Sequence, residues 1–222
     1  MGTCYIVGAG DFVPRGLAPQ ADALVIAADG GYRALQAIHI KPDLLLGDFD
    51  SIGDLNNLPQ DLPILRYPVQ KDDTDTGLAL AEGWARGYRD FRLYGCGGGR
   101  IDHLLANLQS MCGYSRRGAA LRLIDRACDY ETLTNGTLIL PLLPQNAIVS
   151  VFCLGEQATG VTLRGLAYPL TNAVLTCQLP LGVSNHIKSS VEPARISVAQ
   201  GTLLIAAYQE ADSIESSFDR TS

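Results

Sequence analysis

The sequence predicts an α/β domain built on a mostly parallel sheet, residues 1–125, followed by an all-β, sandwich-like domain, residues 126–222. Three observations carry this reading. In the first half, short apolar runs recur and helical patterns lie between several of them, the signature of strands alternating with helices. After about residue 126 the helical periodicity ends and β-branched runs follow one another. Acidic or glycine-rich clusters stand where apolar segments of the first half give way to helix-like patterns. In a parallel sheet those places are the carboxyl ends of strands, where ligands bind.

Taken in order, the strand-like runs of the first domain are CYIVG at 4–8, ALVIAAD at 23–29, LLLGD at 44–48, ILRYP at 64–68, FRLYG at 91–95 and LRLID at 121–125. Helical spacing marks 32–38, then 74–86 with Leu78, Ala81 and Ala85 on one face. A third helix over 101–114 carries Leu104, Leu105, Leu108 and Met111. In the second domain the runs are YETLT, TLIL, IVSVFCLG, VTLRG, AVLTCQ, RISVAQG and TLLIAAY. Asn135 and Gly136, between the first two, predict a two-residue hairpin turn. The polar residues from about Asp212 onward predict a frayed end.

The 222 residues suffice for one large domain or two small ones. An apolar fraction of 47% with 18% charged residues excludes a disordered chain. No apolar run approaches the ~20 residues that span a bilayer. The start, MGTCYIVGAG, has neither the basic region nor the long apolar stretch of a leader. Six scattered cysteines without a CxxC pair read as small buried residues in a reducing cytosol. His39, His103 and His186 have no zinc-ligand spacing to each other or to a cysteine. A net charge of −6 argues against a nucleic-acid surface and suits a cationic small substrate.

Three clusters carry the chemistry. LLLGDFDS at 44–51 presents Asp48 and Asp50 in alternate positions at the end of an extended run, so both carboxylates are expected to point the same way. Such hard oxygen ligands suit Mg²⁺, which takes one or two carboxylates and completes its shell with water and substrate phosphates. KDDTD at 71–75 opens a helix: Asp72 or Asp73 is expected to cap it, with Asp75 in its first turn and Lys71 beside the carboxylates or on a phosphate. Asp73 is assigned to capping alone. CGGGRIDH at 96–103 offers glycine backbone, a helix N-terminus and the planar fork of Arg100 to phosphate oxygens. His103 is read either as a phosphate or base contact or as an ordinary helix residue. Together the clusters fit a metal-bound triphosphate, although the Walker pattern and the protein-kinase signatures are absent. GAGDF at 8–12 lacks the third glycine of a dinucleotide fingerprint and is set aside.

In this order, ADGGYRAL at 28–35, PDLLLGDFDSI at 42–52, KDDTDTGLAL at 71–80, GGRIDHLLANL at 98–108 and GVSN at 182–185 resemble the thiamine pyrophosphokinase family. The resemblance spans most of the chain. It implies a catalytic α/β domain that binds ATP and Mg²⁺, and a β-sandwich domain that contributes to thiamine binding and dimerisation. The implied reaction transfers a diphosphoryl group from ATP to the hydroxyethyl arm of thiamine, giving thiamine diphosphate and AMP. By position, Asp48, Asp50 and Asp75 correspond to Mg²⁺ ligands. Asp72 is either a further ligand or the group that orients or deprotonates the hydroxyl. Lys71, Thr74, Arg100 and His103 correspond to nucleotide or phosphate contacts, Asp29 and Gly30 to the lining of the same cleft, and Asp102 to a supporting residue. Ser184 and Asn185 correspond to the segment near the aminopyrimidine. Because the family forms homodimers with the active site at the subunit interface, that segment is expected to serve the partner's catalytic domain.

Two departures stand out. Animal relatives carry a tryptophan in the β domain, whereas the only tryptophan here is Trp84 in the first; Tyr168, Tyr208, Phe152 and His186 are the aromatic alternatives. Lys71 stands where some relatives have glutamine. Two rival readings share the sequence: a related diphosphokinase acting on a pterin alcohol, and a sensor that binds nucleotide without turnover. DFDS alone suggests a haloacid-dehalogenase-like phosphatase, but the Thr or Val expected two residues after the second Asp is missing.

Overall fold

The computed structural model describes residues 2–49, 58–68 and 74–209, and the chain divides into two compact units, Met1–Arg126 and Ala127–Ser222. Among the described residues the first unit holds six strands: β1 (Thr3–Val7), β2 (Leu24–Ala28), β3 (Leu44–Gly47), β4 (Ile64–Arg66), β5 (Asp90–Tyr94) and β6 (Ala120–Ile124). Its helices are α1 (Gly31–Ala37), α2 (Asp75–Ala85) and α3 (Ile101–Arg116). The strands pair in parallel in the order β6-β5-β1-β2-β3-β4. Every residue of β2 and β3 is buried, as expected of strands covered on both faces. On one face Leu35 of α1 packs with Val7, Val25, Ala27, Leu45 and Tyr94. On the other, α2 and α3 approach Cys4 and Phe91. A Cβ on Gly83 of α2 would stand 2.8 Å from both of those side chains, and Tyr114 of α3 lies 6.3 Å from the Phe91 ring. Short β4, with its outer residues exposed, closes one edge.

Successive strands run outward from β1 to β4, and the chain then returns to place β5 on the other side of β1. The order therefore reverses between β1 and β5, and the crevice beyond their carboxyl ends is the place such a sheet offers a ligand.

Among the described residues the second unit is antiparallel, with β7 (Cys128–Ile139), β8 (Ile148–Cys153), β9 (Gln157–Arg164), β10 (Leu170–Thr176), β11 (Gly182–His186) and β12 (Arg195–Tyr208). Two long strands link its two layers. The first half of β12 pairs with β9, which pairs with β10; its second half pairs with β8, which pairs with β11. β7 accompanies β12 along its whole length, with a register shift between Val198 and Thr202. One core fills the unit, including Val149 and Val151 of β8, Val161 and Leu163 of β9, and Ile196, Leu203 and Ile205 of β12.

Asn135 and Gly136 do not form the expected hairpin turn; they continue β7 through its bend. Asn135 has the left-handed backbone that its position in a turn signal predicts, φ +47°. Here that backbone serves a bulge, and the Asn135 Oδ1 accepts a hydrogen bond from Gly201 N at 2.8 Å. RISVAQG and TLLIAAY likewise merge into the single strand β12, with Gly201 at φ +115° where it bends. Among the described residues no helix is long and apolar enough to cross a membrane.

Candidate active site

A cleft of about 720 Å³ lies at the carboxyl edge of the first sheet. Its walls are the ends of four strands and the starts of two helices: Gly8–Gly10 after β1, Ala28 at the end of β2 with Asp29 after it, Asp48 after β3, Thr74–Thr76 at α2, Gly95–Gly99 after β5, and Arg100, His103 and Asn107 at α3. Asp48, Thr74, Asp75, Arg100 and His103 of the three clusters line this one cleft, together with Asp29, which the family resemblance implies. Gly30 is the N-cap of α1 and Asp102 lies in the first turn of α3; neither lines the cleft. Asp50, Lys71 and Asp72 lie outside the described residues.

Local backbone explains how the acidic side chains arrive there. Asp29 follows β2 in a left-handed conformation, φ +49°, and its N–H donates to Leu46 O at 2.8 Å, tying the ends of β2 and β3. Extended backbone ends at Gly47. Phe49 is left-handed at φ +68° with a buried ring; the expected pairing of Asp48 with Asp50 falls on a residue outside the described ones. At α2 the N-cap is Thr74, not Asp72 or Asp73: its Oγ1 accepts from Gly77 N at 3.0 Å. That leaves the Asp75 carboxylate in the first turn, where the helix dipole favours negative charge. Gly31, at the start of α1, permits a contact no other residue could make, since a Cβ there would stand 1.8 Å from Val7 O.

The glycine segment after β5 is fixed from several sides. Gly8 N donates to Tyr94 O and Gly10 N to Gly95 O, each at 2.8 Å, so the β1 and β5 ends are zipped together. Asn107, 4% exposed, donates from Nδ2 to Cys96 O at 2.7 Å. Thr76 Oγ1 donates to Cys96 Sγ at 3.6 Å, and burial pushes the Cys96 thiol up to about 11, which keeps it protonated and unreactive. Beyond it, Gly98 and Gly99 are exposed and both left-handed, at φ +63° and +65°. At the rim, Arg126 grips Asp11 with two hydrogen bonds of 2.8 and 2.7 Å, and Arg15 donates to Asp125 O at 3.1 Å.

Arg100 is exposed and forks onto Asp102, Nε to Oδ1 at 3.1 Å and a terminal nitrogen to Oδ2 at 2.5 Å. Hydrogen bonding from Arg100 holds the Asp102 carboxyl down at about 2. So solvated a pair costs little to exchange, and the guanidinium can swing to an arriving phosphate. Among the described residues no group of three or more His, Cys, Asp or Glu forms a metal cage. The donor set is instead two carboxylates, Asp48 and Asp75, lining a cleft that also has room for phosphates. This fits Mg²⁺, which is seldom held by protein alone.

In the second unit Ser184 is exposed and left-handed at φ +55°, and its N–H donates to Ser150 Oγ at 3.1 Å. Asn185 is 3% exposed. Its Oδ1 accepts from Tyr168 N at 2.9 Å and from His186 N at 3.0 Å, while Nδ2 donates to Tyr168 O at 2.7 Å. Asn185 therefore clamps Tyr168, a residue 64% exposed whose ring meets His186 edge-on at 5.4 Å. Trp84 stacks in the first unit between Arg89 and Arg117, 3.5 and 4.2 Å from the ring centre.

Sequence reasoning missed Gly8–Gly10, Thr76, Cys96 and Asn107 as parts of the cleft. GAGDF fails the dinucleotide pattern, yet glycines straight after a strand are themselves a signal of close backbone approach. Asn107 acts on a carbonyl eleven residues away, which no local spacing reveals.

Comparison with known proteins follows the same division. A family model described as thiamin pyrophosphokinase, catalytic domain, matches residues 18–123, and one described as thiamin pyrophosphokinase, vitamin B1 binding domain, matches 138–203. The chain is 29% identical over 214 residues to a thiamine pyrophosphokinase of Bacillus subtilis, covering 92% of this chain and 98% of that one. Among solved structures it resembles thiamine pyrophosphokinase from Bacillus subtilis, with a TM-score of 0.83 and 26% identity over 94% of this chain and 99% of the other. It also resembles the enzyme from Geobacillus thermodenitrificans, with a TM-score of 0.79 and 26% identity over 95% and 99%.

Proposed function

The chain belongs to the thiamin pyrophosphokinase family, and on that premise we propose that the cleft at the carboxyl edge of the first sheet is where its reaction occurs. The reaction is transfer of a diphosphoryl group from ATP to thiamine. The thiamine hydroxyl oxygen forms a bond to the β-phosphorus, the bridge between α- and β-phosphates breaks, and AMP leaves with the bridging electron pair. The hydroxyl proton passes to a base or to water. The observation that carries the assignment is that Asp48, Asp75, Arg100 and the Gly95–Gly99 segment surround one crevice at the β1/β5 reversal.

In this reading Asp48, Asp50 and Asp75 would hold Mg²⁺, which would supply positive charge to neutralise phosphate oxygens. Asp72 is either a water-mediated ligand or the acceptor of the hydroxyl proton. Arg100 leaves Asp102 for a phosphate oxygen, with Lys71, Thr74 and His103 completing the nucleotide contacts and Asp29 and Gly30 shaping the cleft. No covalent intermediate is required, so the protein contributes chiefly by positioning and charge. Ser184 is assigned to the thiamine pyrimidine; Asn185 acts there by holding Tyr168 and the backbone of the segment. We further read the active form as a cytoplasmic homodimer with its active site at the subunit interface, in which this segment serves the partner's cleft. The six free thiols support a reducing compartment.

Calorimetric titration of the full chain with ATP tests the metal assignment without turnover. In Mg²⁺, Asp48→Asn and Asp75→Asn should weaken ATP binding, whereas with chelator present the variants and the parent should bind alike. Equal loss in both conditions would contradict a metal-ligand role.

A further inference from the structure

The outer face of the layer β10-β9-β12-β7 carries an arrangement the phosphotransfer reaction does not use. On β9, Val161 and Leu163 are buried in the core, so Thr162 and Arg164 face outward. On β12, Ile196 and Val198 are buried, so Arg195 and Ser197 face outward. The antiparallel register sets Arg195 directly opposite Arg164 and Ser197 directly opposite Thr162. These four side chains line a depression of about 300 Å³. Like charges directly opposite each other on a sheet are destabilising. Neither guanidinium has a carboxylate or hydrogen-bond partner among the described residues. The chain has 23 acidic residues against 17 basic ones, so a carboxylate to neutralise the pair is not scarce. On one flank of Arg195 stands Ile139 of β7.

The hydroxyls add donors. Thr162 Oγ1 accepts from Asn172 N at 3.2 Å, which leaves its own proton for a ligand. Ser197 Oγ and Thr137 Oγ1 lie 3.0 Å apart and share one proton between them, which frees the other. Two planar forks and two hydroxyl donors converging on one depression are the donor set of a multiply charged oxyanion.

We propose that Arg164, Arg195, Thr162 and Ser197 form a binding site for a phosphoryl oxyanion, either free phosphate or the phosphoryl end of an ester, on the outer face of the second unit. The bound anion neutralises the opposed arginines. This site rests on none of the residues assigned to catalysis, so it stands or falls separately from the reading above.

The test is a residue-resolved titration. The full chain, with arginine side chains ¹⁵N-labelled and the two Nε–Hε signals assigned through Arg164→Lys and Arg195→Lys, is titrated with inorganic phosphate and, in parallel, with potassium chloride at matched ionic strength. The expected result is a saturable, concerted shift of the Arg164 and Arg195 signals with phosphate alone, and loss of the Arg195 shift in Arg164→Gln. In phosphate-free buffer Arg164→Gln, which removes one like charge, should not lower the unfolding temperature, and on adding phosphate the parent should gain more than the variant, whose remaining gain comes from the cleft. Glycerol 3-phosphate separates the two sources: equal affinity means the phosphoryl group alone is read, tighter binding means an ester is the ligand. Three results would overturn the proposal. They are no saturable shift at either arginine while Arg100 responds, an equal response to chloride, or signals that move with protein concentration alone, the mark of a second copy's carboxylates.

Discussion

Asp75 stands at the first position of α2 and Asp48 directly after β3, and both carboxylates reach one cleft from elements far apart in sequence. Removing either charge while keeping its shape should leave the fold intact and lower turnover by about two orders of magnitude or more, on the scale of losing one positioned charge at a transition state. Steady-state rates and circular dichroism of Asp48→Asn and Asp75→Asn check this; near-parental rates would remove both from the site. Both positions in the cleft were legible because short acidic motifs at a strand end and at a helix start announce themselves. The thiols make a different prediction. Burial pushes Cys4 up to about 12 and Cys96 up to about 11 from an ordinary value of 9.0. The unfolded chain therefore loses these protons first. Their contribution to stability is whole below about pH 9 and is lost as pH rises through about 11 to 12. Urea midpoints measured from pH 8 upward should fall in that window, and the Cys4→Ala and Cys96→Ala variants should show a shallower fall. Native alkylation should mark exposed Cys177 well before either.

Helix α2 begins because Thr74 caps it, and α3 is fixed because Asn107 reaches back to Cys96 O. Thr74→Ala should cost about 1 kcal/mol through the lost cap. Asn107→Ala should cost about 1–3 kcal/mol, since it leaves a buried carbonyl without its donor, and should raise the ATP KM because the glycine segment loses its anchor. An unchanged ATP KM in a stably folded Asn107→Ala would argue that Asn107 does no more than fill space. Strands and helices were readable here from period alone: the uninterrupted apolar runs of β2 and β3 and the spacing of Leu104, Leu108 and Met111 leave little choice. The bend in β7 was not. Asn135–Gly136 signals left-handed backbone, and a turn and a bulge both need it; the deciding partner, Gly201, comes 66 residues later. Likewise the left-handed backbone of Phe49 goes with the burial of its ring, a tertiary demand that local spacing does not reveal.

Across the whole molecule, six parallel strands with their order reversed at β1/β5 form one unit, and a bent antiparallel pair, β7 and β12, spans both layers of the other. The homodimer reading predicts a mass in solution near twice the 23.7 kDa of the chain by light scattering, with Ser184→Ala raising the thiamine KM more than the ATP KM. A monomer with full activity would refute the shared-site arrangement. The most direct measurement of the central claim follows AMP and thiamine diphosphate together by chromatography in a reaction of the purified full chain with ATP, Mg²⁺ and thiamine, beside a control without thiamine. Diphosphoryl transfer to thiamine requires that the two products appear in equal amounts and only when thiamine is present; AMP formed without thiamine diphosphate, or no AMP at all, would rule it out.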